Sequence, residues 1–256
     1  YMMNEYEYTQ EEFDEQYFLI KSYLTSGKIA AENTNTILIN GQPGVGKPNY
    51  EAGLSENSII IDTDEFRRFH PRIDSINKLD AENYAERTQP FANAVTEKLV
   101  SELAKEKYNL VIEGTLRTAE VPINTCEKLK KNGHEVNLIV VACDACLAWE
   151  STIIRAKQMM QNGRKPRLVP IDKYDYNVQH IVNNLKTIRE KDCFHSISVV
   201  ERTGKPISLQ GKTPEQALSE VLNLDKWNKN KEKYEINYLK SKMEIIKQEL
   251  KEYDIQ

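Results

Sequence analysis

Cysteine is scarce in this chain of 256 residues, and the few that occur do not suggest cross-links. Four scattered residues are too few for the disulfide framework of a small secreted domain. Two of them have redox-motif spacing, but no second pair exists to complete a zinc site. We therefore expect ordinary thiols at Cys126, Cys143, Cys146 and Cys193.

Glycine and proline are also few, with 10 and 9 residues, and long apolar runs are missing. No stretch resembles a signal peptide or a membrane span, so the cytoplasm is the expected location and no membrane partner is expected. Hydrophobic residues make up 39% and charged residues 29%, which is typical of a folded, helix-rich soluble protein. Because the net charge is -4, we expect no nucleic-acid partner, and any phosphate binding must be local.

Short apolar runs alternate with longer segments of helical periodicity along most of the chain. The runs are short and β-branched enough for buried strands, and two of them end in acidic residues. Strands are predicted at residues 36–39, 58–61, 109–112, 136–142 and 196–200, and helices at residues 9–24, 81–107, 125–131, 145–161 and 171–191.

Five strands that alternate with helices predict an α/β protein with a mostly parallel sheet covered on both faces. In such sheets ligands bind beyond the carboxyl ends of the strands, where this chain keeps its acidic residues and a Gly-rich loop. We predict an N-terminal helical appendage over residues 1–34, a P-loop kinase-like core with an acceptor site over residues 35–212, and C-terminal helices over residues 213–256.

The C-terminal region begins with a helix-capping sequence, Thr213-Pro214-Glu215. Further on, apolar residues fall at alternating steps of four and three, which is coiled-coil spacing. Because this seam is short, we favour a terminal helix folded back on its own domain over a partner-binding helix. The seam consists of Leu239, Met243, Ile246, Leu250 and Tyr253.

A phosphate-binding loop is predicted directly after the first strand. Glycines at the required positions let successive backbone N–H groups converge on phosphate oxygens, and a final lysine reaches the outer phosphates. The position between a buried strand and a helix makes nucleotide binding far more probable than a simple turn. The loop consists of Gly41, Gln42, Pro43, Gly44, Val45, Gly46 and Lys47.

The next residue departs from the phosphate-loop pattern, because Pro48 stands where Ser or Thr would bind Mg²⁺. Proline supplies neither a hydroxyl nor an N–H, although it is compatible with the first turn of a helix. The loop can therefore keep its fold while a metal ligand is lost. We expect activity to be weakened or abolished by this residue, and no metal ligand is assigned.

Two further segments make the sequence resemble a known family. They are Ile61-Asp62-Thr63-Asp64-Glu65-Phe66-Arg67, followed by His70-Pro71, and Tyr108-Asn109-Leu110-Val111-Ile112-Glu113-Gly114-Thr115-Leu116-Arg117-Thr118. Together with the phosphate loop, they occur in the order found in the zeta toxin family. The resemblance runs from about residue 8 to residue 200.

The resemblance implies a kinase that acts as the toxin of an epsilon/zeta-type toxin-antitoxin system. Family members resembling this chain transfer the γ-phosphate of ATP or GTP, with Mg²⁺, to the 3′-hydroxyl of the amino sugar of UDP-N-acetylglucosamine. That reaction starves cell-wall synthesis. The implied protein partner is a small helical antitoxin of the epsilon type, whose helix covers the nucleotide site.

The same resemblance gives roles to individual acids. Asp64 matches the general base, and a carboxylate at the carboxyl end of a strand can accept the proton of an attacking hydroxyl. Asp64 could also be a helix N-cap, and Asp62 could be that cap or a partner of the metal site. Glu113 matches a carboxylate that helps to hold the acceptor sugar or the metal; directly after a buried strand, such an acid would be costly without a role.

Basic and hydroxyl residues complete the implied site. Arg155 and Arg167 match arginines that neutralise the triphosphate and, with Lys47 and Asp64, make up the expected catalytic set. Isolated surface arginines are usually only solvated. For His70, in a loop, a structural role is favoured. The positions that match the lining of the sugar-nucleotide site are Thr115, Arg117 and Thr125.

Two other functions stay open at this point. Pro48 also suits a catalytically silent homologue that binds nucleotide or antitoxin without transferring a phosphoryl group. A third possibility is another P-loop small-molecule kinase, because a fold does not fix its substrate.

Overall fold

The computed structural model describes residues 6–47, 56–79 and 83–254. Within these residues, five strands form one parallel sheet flanked by helices, which confirms the predicted α/β fold class. The strands are β1 (Asn35–Asn40), β2 (Ile59–Ile61), β3 (Leu110–Gly114), β4 (Glu135–Val141) and β5 (Ser196–Val200).

The strand order in the sheet is β2-β3-β1-β4-β5, with β1 at the centre. β2 and β3 pair in parallel, with Ile59 opposite Leu110 and Ile61 opposite Ile112. The chain builds one side of the sheet through β2 and β3 and then crosses β1 to add β4 and β5. β1 therefore lies at a topological switch point, where α/β sheets bind their ligands.

Helices connect the strands and extend the chain at both ends. A 3-10 turn, Arg67–Phe69, follows the shortest of them. The helices are α1 (Gln10–Thr25), α2 (Thr63–Phe66), α3 (Ile73–Leu79), α4 (Tyr84–Lys105), α5 (Glu120–Lys131), α6 (Ala145–Gln161), α7 (Ile171–Lys191), α8 (Pro214–Leu222) and α9 (Leu224–Asp254).

Two helices begin at the caps that the sequence predicts. The Thr9 hydroxyl accepts from the backbone N–H of Glu12, and the Glu12 carboxylate accepts from the backbone N–H of Thr9. Thr213 and Gln216 form the same reciprocal box at α8, with proline at the first helical position. Each box satisfies two backbone donors that a helix start leaves without a partner inside the helix.

The described residues fall into two compact units. Dividing lines run inside β1, β3, β4 and α5. The first unit contains the described residues of Tyr1–Leu38, Gly53–Glu113 and Thr125–Asn137, and the second contains those of Ile39–Ala52, Gly114–Asn124 and Leu138–Gln256.

The core of the first unit is built around α4, whose Val95, Leu99 and Leu103 are fully buried. A buried histidine adds a polar link. His134 Nδ1 lies 2.8 Å from the Thr36 hydroxyl, and its Nε2 lies 2.9 Å from the carbonyl oxygen of Ala104 in α4. Burial lowers the pKa of His134, so the ring is neutral and ties β1 to α4.

Three large aromatic residues centre the core of the second unit. The Tyr174 ring centroid lies 5.1 Å from Trp149 and 5.0 Å from Trp227, so α6, α7 and α9 meet here. All three side chains are buried. The prediction that the terminal helix folds back on its own domain is therefore confirmed for the Trp227 end of α9.

The apolar seam predicted for the terminal helix is not its packed face. Leu239, Met243 and Leu250 are exposed and Ile246 is half-buried, whereas Tyr234 and Ile245 are buried. The side chain of Tyr253 lies outside the described part. α9 therefore carries two apolar faces, and three residues of the one with regular coiled-coil spacing are exposed.

Several element boundaries differ from the prediction. β3 extends to Gly114, so Glu113 lies inside the strand, and α5 begins at Glu120 instead of residue 125. α9 begins at Leu224, and α3 was not predicted. The helix predicted from residue 81 is seen from Tyr84, and residues 80–82 lie outside the described part.

The four cysteines are free and buried, which confirms the expected ordinary thiols. Among the described residues, every helix is too short or too polar to cross a lipid bilayer.

Candidate functional site

The phosphate loop, residues 41–47, follows the central strand β1 and lies in the second unit. Gly44 and Gly46 have φ values of +85° and +90°, in the left-handed region that favours glycine. A Cβ on Gly44 would lie 2.0 Å from the carbonyl oxygen of Ala148, so only glycine fits there. The close backbone path and the glycine conformations are those of a loop that can wrap a phosphate chain.

Buried contacts anchor this loop within the second unit. Gln42 is fully buried and donates from Nε2 to the carbonyl oxygen of Cys143 at 3.0 Å. The backbone N–H of Gly41 donates to the carbonyl oxygen of Gly114 at 3.3 Å. Val45 is buried as well. The loop is therefore fixed to the last residue of β3 and to the segment that follows β4.

Lys47 closes the described part of the loop. Its side chain is buried, and Nζ donates to the carbonyl oxygen of Gly41 at 2.9 Å. The lysine thus folds back over the loop and places its positive charge at the residues that would contact phosphate. Pro48 lies outside the described residues.

A magnesium ion would need oxygen ligands near the phosphates. Among the described residues, no group of three or more His, Cys, Asp or Glu side chains is placed to hold a metal ion.

An acidic group lies at the ends of β2 and β3 in the first unit. Because Ile61 pairs with Ile112, Asp62 and Glu113 follow at neighbouring positions. Asp62 Oδ1 accepts from the backbone N–H of Asp64 at 2.9 Å and caps α2, which confirms the N-cap alternative for Asp62. Burial first, and then the negative charges of Glu113 and Asp64, raise the pKa of Asp62 to about 7.

Arg67 fixes the proposed base. Its Nε donates to Asp64 Oδ1 at 2.9 Å, and the Arg67 side chain is only 7% exposed while that of Asp64 is 47% exposed. Nη1 donates to the Ala85 carbonyl at 2.6 Å and to the Thr88 hydroxyl at 3.0 Å, and Nη2 donates to Gln89. The carboxylate is therefore held on one side by a buried cation and reaches solvent on another.

The predicted acceptor residues are divided between the two units. Thr115 and Arg117 are exposed in the loop after β3, in the second unit, and the Arg117 guanidinium lies 5.5 Å from the ring centroid of Tyr176. Thr125 is half-buried in α5, in the first unit with Asp64 and Glu113.

The two predicted arginines both belong to the second unit. Arg155 is exposed on α6, and Arg167 is half-buried in the connection between α6 and α7. The second unit therefore contains the phosphate loop together with Thr115, Arg117, Arg155 and Arg167.

His70 is structural. It is buried, its Nδ1 accepts from the backbone N–H of Arg72 at 3.0 Å, and its ring meets the edges of Tyr8 and Phe91. Burial lowers the pKa of His70 to about 4, so the ring is neutral at pH 7. This agrees with the structural role that the sequence favours for His70.

Sequence reasoning missed three residues around the site. Arg67 belongs to a segment of the family resemblance but carried no role, and its partners lie about twenty residues further on. Asn177 and Asn184 donate to the backbone that carries Thr115 and Arg117. Asparagines inside a long helix are unusual, and that was the available signal.

The family model named Zeta toxin matches residues 21–212, which is most of the chain. The chain belongs to the zeta toxin family. The toxin PezT of Streptococcus pneumoniae is 34% identical over 201 residues, covering 77% of this chain and 79% of that protein. The toxin zeta of Streptococcus pyogenes is 32% identical over 226 residues, covering 86% of this chain and 79% of that protein.

A solved structure agrees with this zeta toxin family assignment. A chain from the PezAT chromosomal toxin-antitoxin system of Streptococcus pneumoniae superposes with a TM-score of 0.77 at 28% identity. The match covers 96% of this chain and all of that one. The resemblance stated from the sequence motifs is therefore confirmed.

Proposed function

We propose that this zeta toxin family member is a kinase that transfers the γ-phosphate of ATP or GTP to the 3′-hydroxyl of UDP-N-acetylglucosamine. The reaction would block cell-wall synthesis. The observation that carries the proposal is the phosphate loop after the central strand, with its two left-handed glycines and the buried Lys47. Family membership supports the same chemistry.

The donor side is proposed from the second unit. Backbone N–H groups of residues 41–47 and the Lys47 ammonium would bind the phosphates, and Arg155 and Arg167 would neutralise the charge that spreads over the transferring oxygens. Mg²⁺, when bound with the nucleotide, supplies further neutralisation of that charge.

The acceptor side is proposed from the acids and the residues after β3. Asp64 would take the proton of the attacking hydroxyl, and its contact with Arg67 holds the carboxylate in one orientation. Glu113, Thr115, Arg117 and Thr125 would bind the sugar nucleotide. Asp62 caps the helix of Asp64 and would act on the reaction only through that helix.

A small helical antitoxin of the epsilon type is the proposed protein partner. The similar solved structure comes from a toxin-antitoxin system, which supports a partner of this kind. Binding of that antitoxin is expected to compete with nucleotide.

Pro48 favours a second candidate function, a silent homologue that keeps ligand or antitoxin binding without turnover. One missing contact of this type commonly lowers a rate by about 10² to 10³, so weak turnover is the expected result for the unaltered chain.

The test is incubation of the unaltered protein and of Pro48→Thr with ATP, Mg²⁺ and UDP-N-acetylglucosamine, followed by phosphorus NMR. A new sugar-phosphate signal, stronger by about 10² in Pro48→Thr, is expected. If neither protein makes product from any UDP-sugar, the proposed substrate is wrong, and a screen of other hydroxyl acceptors tests the small-molecule kinase alternative. Antitoxin binding by calorimetry without any turnover in the unaltered protein would favour the silent homologue, and robust turnover of the unaltered protein would rule it out.

A further inference from the structure

The loop after β3, residues 115–118, has an unfavourable backbone. Leu116 has φ of +54°, a left-handed conformation that side chains disfavour, and its side chain is 2% exposed. Such a conformation persists only where surrounding contacts hold it, and it is enriched at functional sites. Thr115 and Arg117 flank this residue on either side.

Two asparagines of α7 hold three successive carbonyls of this loop. Asn177 Nδ2 donates to the Thr115 carbonyl at 2.8 Å. Asn184 Nδ2 donates to the carbonyls of Leu116 and Arg117 at 3.0 and 2.9 Å. Asparagines seven residues apart lie on the same face of a helix, so α7 carries a pair of clamps along the loop.

Asparagine at residue 177 costs stability that a role in forming the helix does not explain. The residue is buried, its Oδ1 has no hydrogen-bond partner among the described residues, and asparagine is a poor residue for a helix interior. A leucine or alanine would suit the helix better. What asparagine adds is the Nδ2 donor that fixes the carbonyl of Thr115.

The same helix also fixes a side chain of the loop. Tyr176, next to Asn177, has its ring centroid 5.5 Å from the Arg117 guanidinium. In α7, Asn177 and Asn184 thus hold the backbone of this loop, and Tyr176 holds the Arg117 side chain. All of these residues belong to the second unit.

We propose that Asn177 and Asn184 are positioning residues, which hold the strained loop at Leu116 so that Thr115 and Arg117 are presented to the acceptor sugar nucleotide. This rests on the function proposed above. The two asparagines donate to the backbone of the loop and act on the acceptor through it.

A proteolysis experiment tests the clamp without any activity. Trypsin cleaves after Arg117 only when the loop leaves its held conformation, so Asn184→Asp, which replaces the donor by an acceptor against two carbonyls, is expected to speed cleavage there about tenfold. Asn183→Asp makes the same change at an exposed neighbour on α7 and is expected to leave that rate unchanged. Asn177→Leu removes the other donor without adding a buried charge. Equal cleavage after Arg117 in the unaltered protein and in both Asn184→Asp and Asn177→Leu would overturn the clamp.

Kinetics test the positioning role, in a Pro48→Thr background. Asn184→Asp is expected to raise KM for UDP-N-acetylglucosamine about tenfold, corresponding to about 1.4 kcal/mol, with kcat and KM for ATP within about twofold. An equal rise in KM for ATP would overturn the role in acceptor presentation. If Pro48→Thr alone makes no product, the proposed function fails, and the trypsin comparison still decides whether the asparagines hold the loop.

Discussion

The Arg67 guanidinium donates from Nε to Asp64 Oδ1 across 2.9 Å, which gives the proposed general base a fixed orientation. The same guanidinium binds Ala85, Thr88 and Gln89 at the start of α4. A buried arginine with contacts on this many sides acts as a rigid bracket, because its planar fork offers donors in fixed directions. The turn that carries Asp64 is thereby fastened to the longest helix of the first unit.

Arg67→Lys is expected to lower kcat by about 10- to 100-fold in a Pro48→Thr background, because lysine keeps the charge but cannot reproduce the fork. It is also expected to lower the unfolding free energy by about 2 kcal/mol, since buried acceptors lose their donors. Steady-state kinetics and urea denaturation measure the two effects. Arg68→Lys, at the exposed neighbouring position, is the matched control and should change neither. Unaltered kcat in Arg67→Lys would show that the reaction does not depend on Arg67 orienting the Asp64 carboxylate.

The raised pKa of Asp62 predicts a pH-dependent stability. A carboxyl whose pKa rises from 3.8 in the unfolded chain to about 7 in the folded protein favours folding most when it is protonated, and this contribution is lost as pH rises from about 4 through 7. Asp62→Asn keeps an N-cap acceptor but removes the titration. The unfolding free energy of Asp62→Asn relative to the unaltered protein is therefore expected to increase with pH, by up to about 1.4 kcal/mol per pH unit.

Denaturation at several pH values between 4 and 7 measures this difference. Asp225→Asn, at an exposed position in the first turn of α9, is the control and should show a nearly constant difference. A constant difference for Asp62→Asn as well would contradict the assigned pKa shift.

Gly44→Ala is expected to damage the phosphate loop much more than Gly163→Ala. Both glycines have positive φ, +85° and +66°, but a Cβ at residue 44 would lie 2.0 Å from the Ala148 carbonyl oxygen, whereas residue 163 has open space. The added methyl at residue 163 should cost about 1 kcal/mol of strain. At residue 44 the backbone has to move, and ATP affinity should fall at least about tenfold. Thermal denaturation and calorimetry with ATP distinguish the two; similar affinities would mean that the loop tolerates the shift.

The ion pair between Arg189 and Glu215 is expected to stabilise the second unit. Arg189 binds both Glu215 oxygens, from Nε at 2.9 Å and from Nη2 at 2.7 Å, and the Glu215 side chain is 9% exposed. Glu215→Gln should therefore lower the unfolding free energy by about 1 to 3 kcal/mol. Glu220→Gln, which breaks the exposed pair with Lys212, should change it by less than about 1 kcal/mol. If urea denaturation gave the same loss of unfolding free energy for Glu215→Gln and Glu220→Gln, burial and two-point contact would not strengthen the Arg189–Glu215 pair.

Features that depend on a few neighbouring residues could be predicted from the sequence. The caps at Thr9 and Thr213 and the strands around Ile39 and Ile61 depend on local patterns, and all of them are present. The phosphate loop belongs to the same class, because its glycines and lysine are contiguous. Even there, the chemical contribution of residue 48 depends on a metal contact that the pattern only implies.

Contacts that join distant segments could not be predicted. Arg67 reaches Ala85 and Gln89, and Asn184 reaches back 67 residues to Arg117, so no local period records either link. The packed face of the terminal helix could not be predicted for another reason. Leu239 and Met243 have regular spacing, but the large ring of Trp227 decides which face packs. Burial of bulky aromatic surface outweighed the regularity of the seam.

His134 has a spectroscopic consequence. A carbonyl oxygen can only accept, so the contact with Ala104 requires the proton of the neutral ring to sit on Nε2, and Nδ1 then accepts from the Thr36 hydroxyl. Because His134 is buried, that N–H is expected to exchange slowly with water. It should give a separate far-downfield resonance in a proton NMR spectrum at neutral pH. Most imidazole N–H protons give no such signal at this pH, because they exchange rapidly with water. The resonance would serve as a built-in gauge of whether β1 and α4 are still joined as the protein is heated, mutated or loaded with ligand.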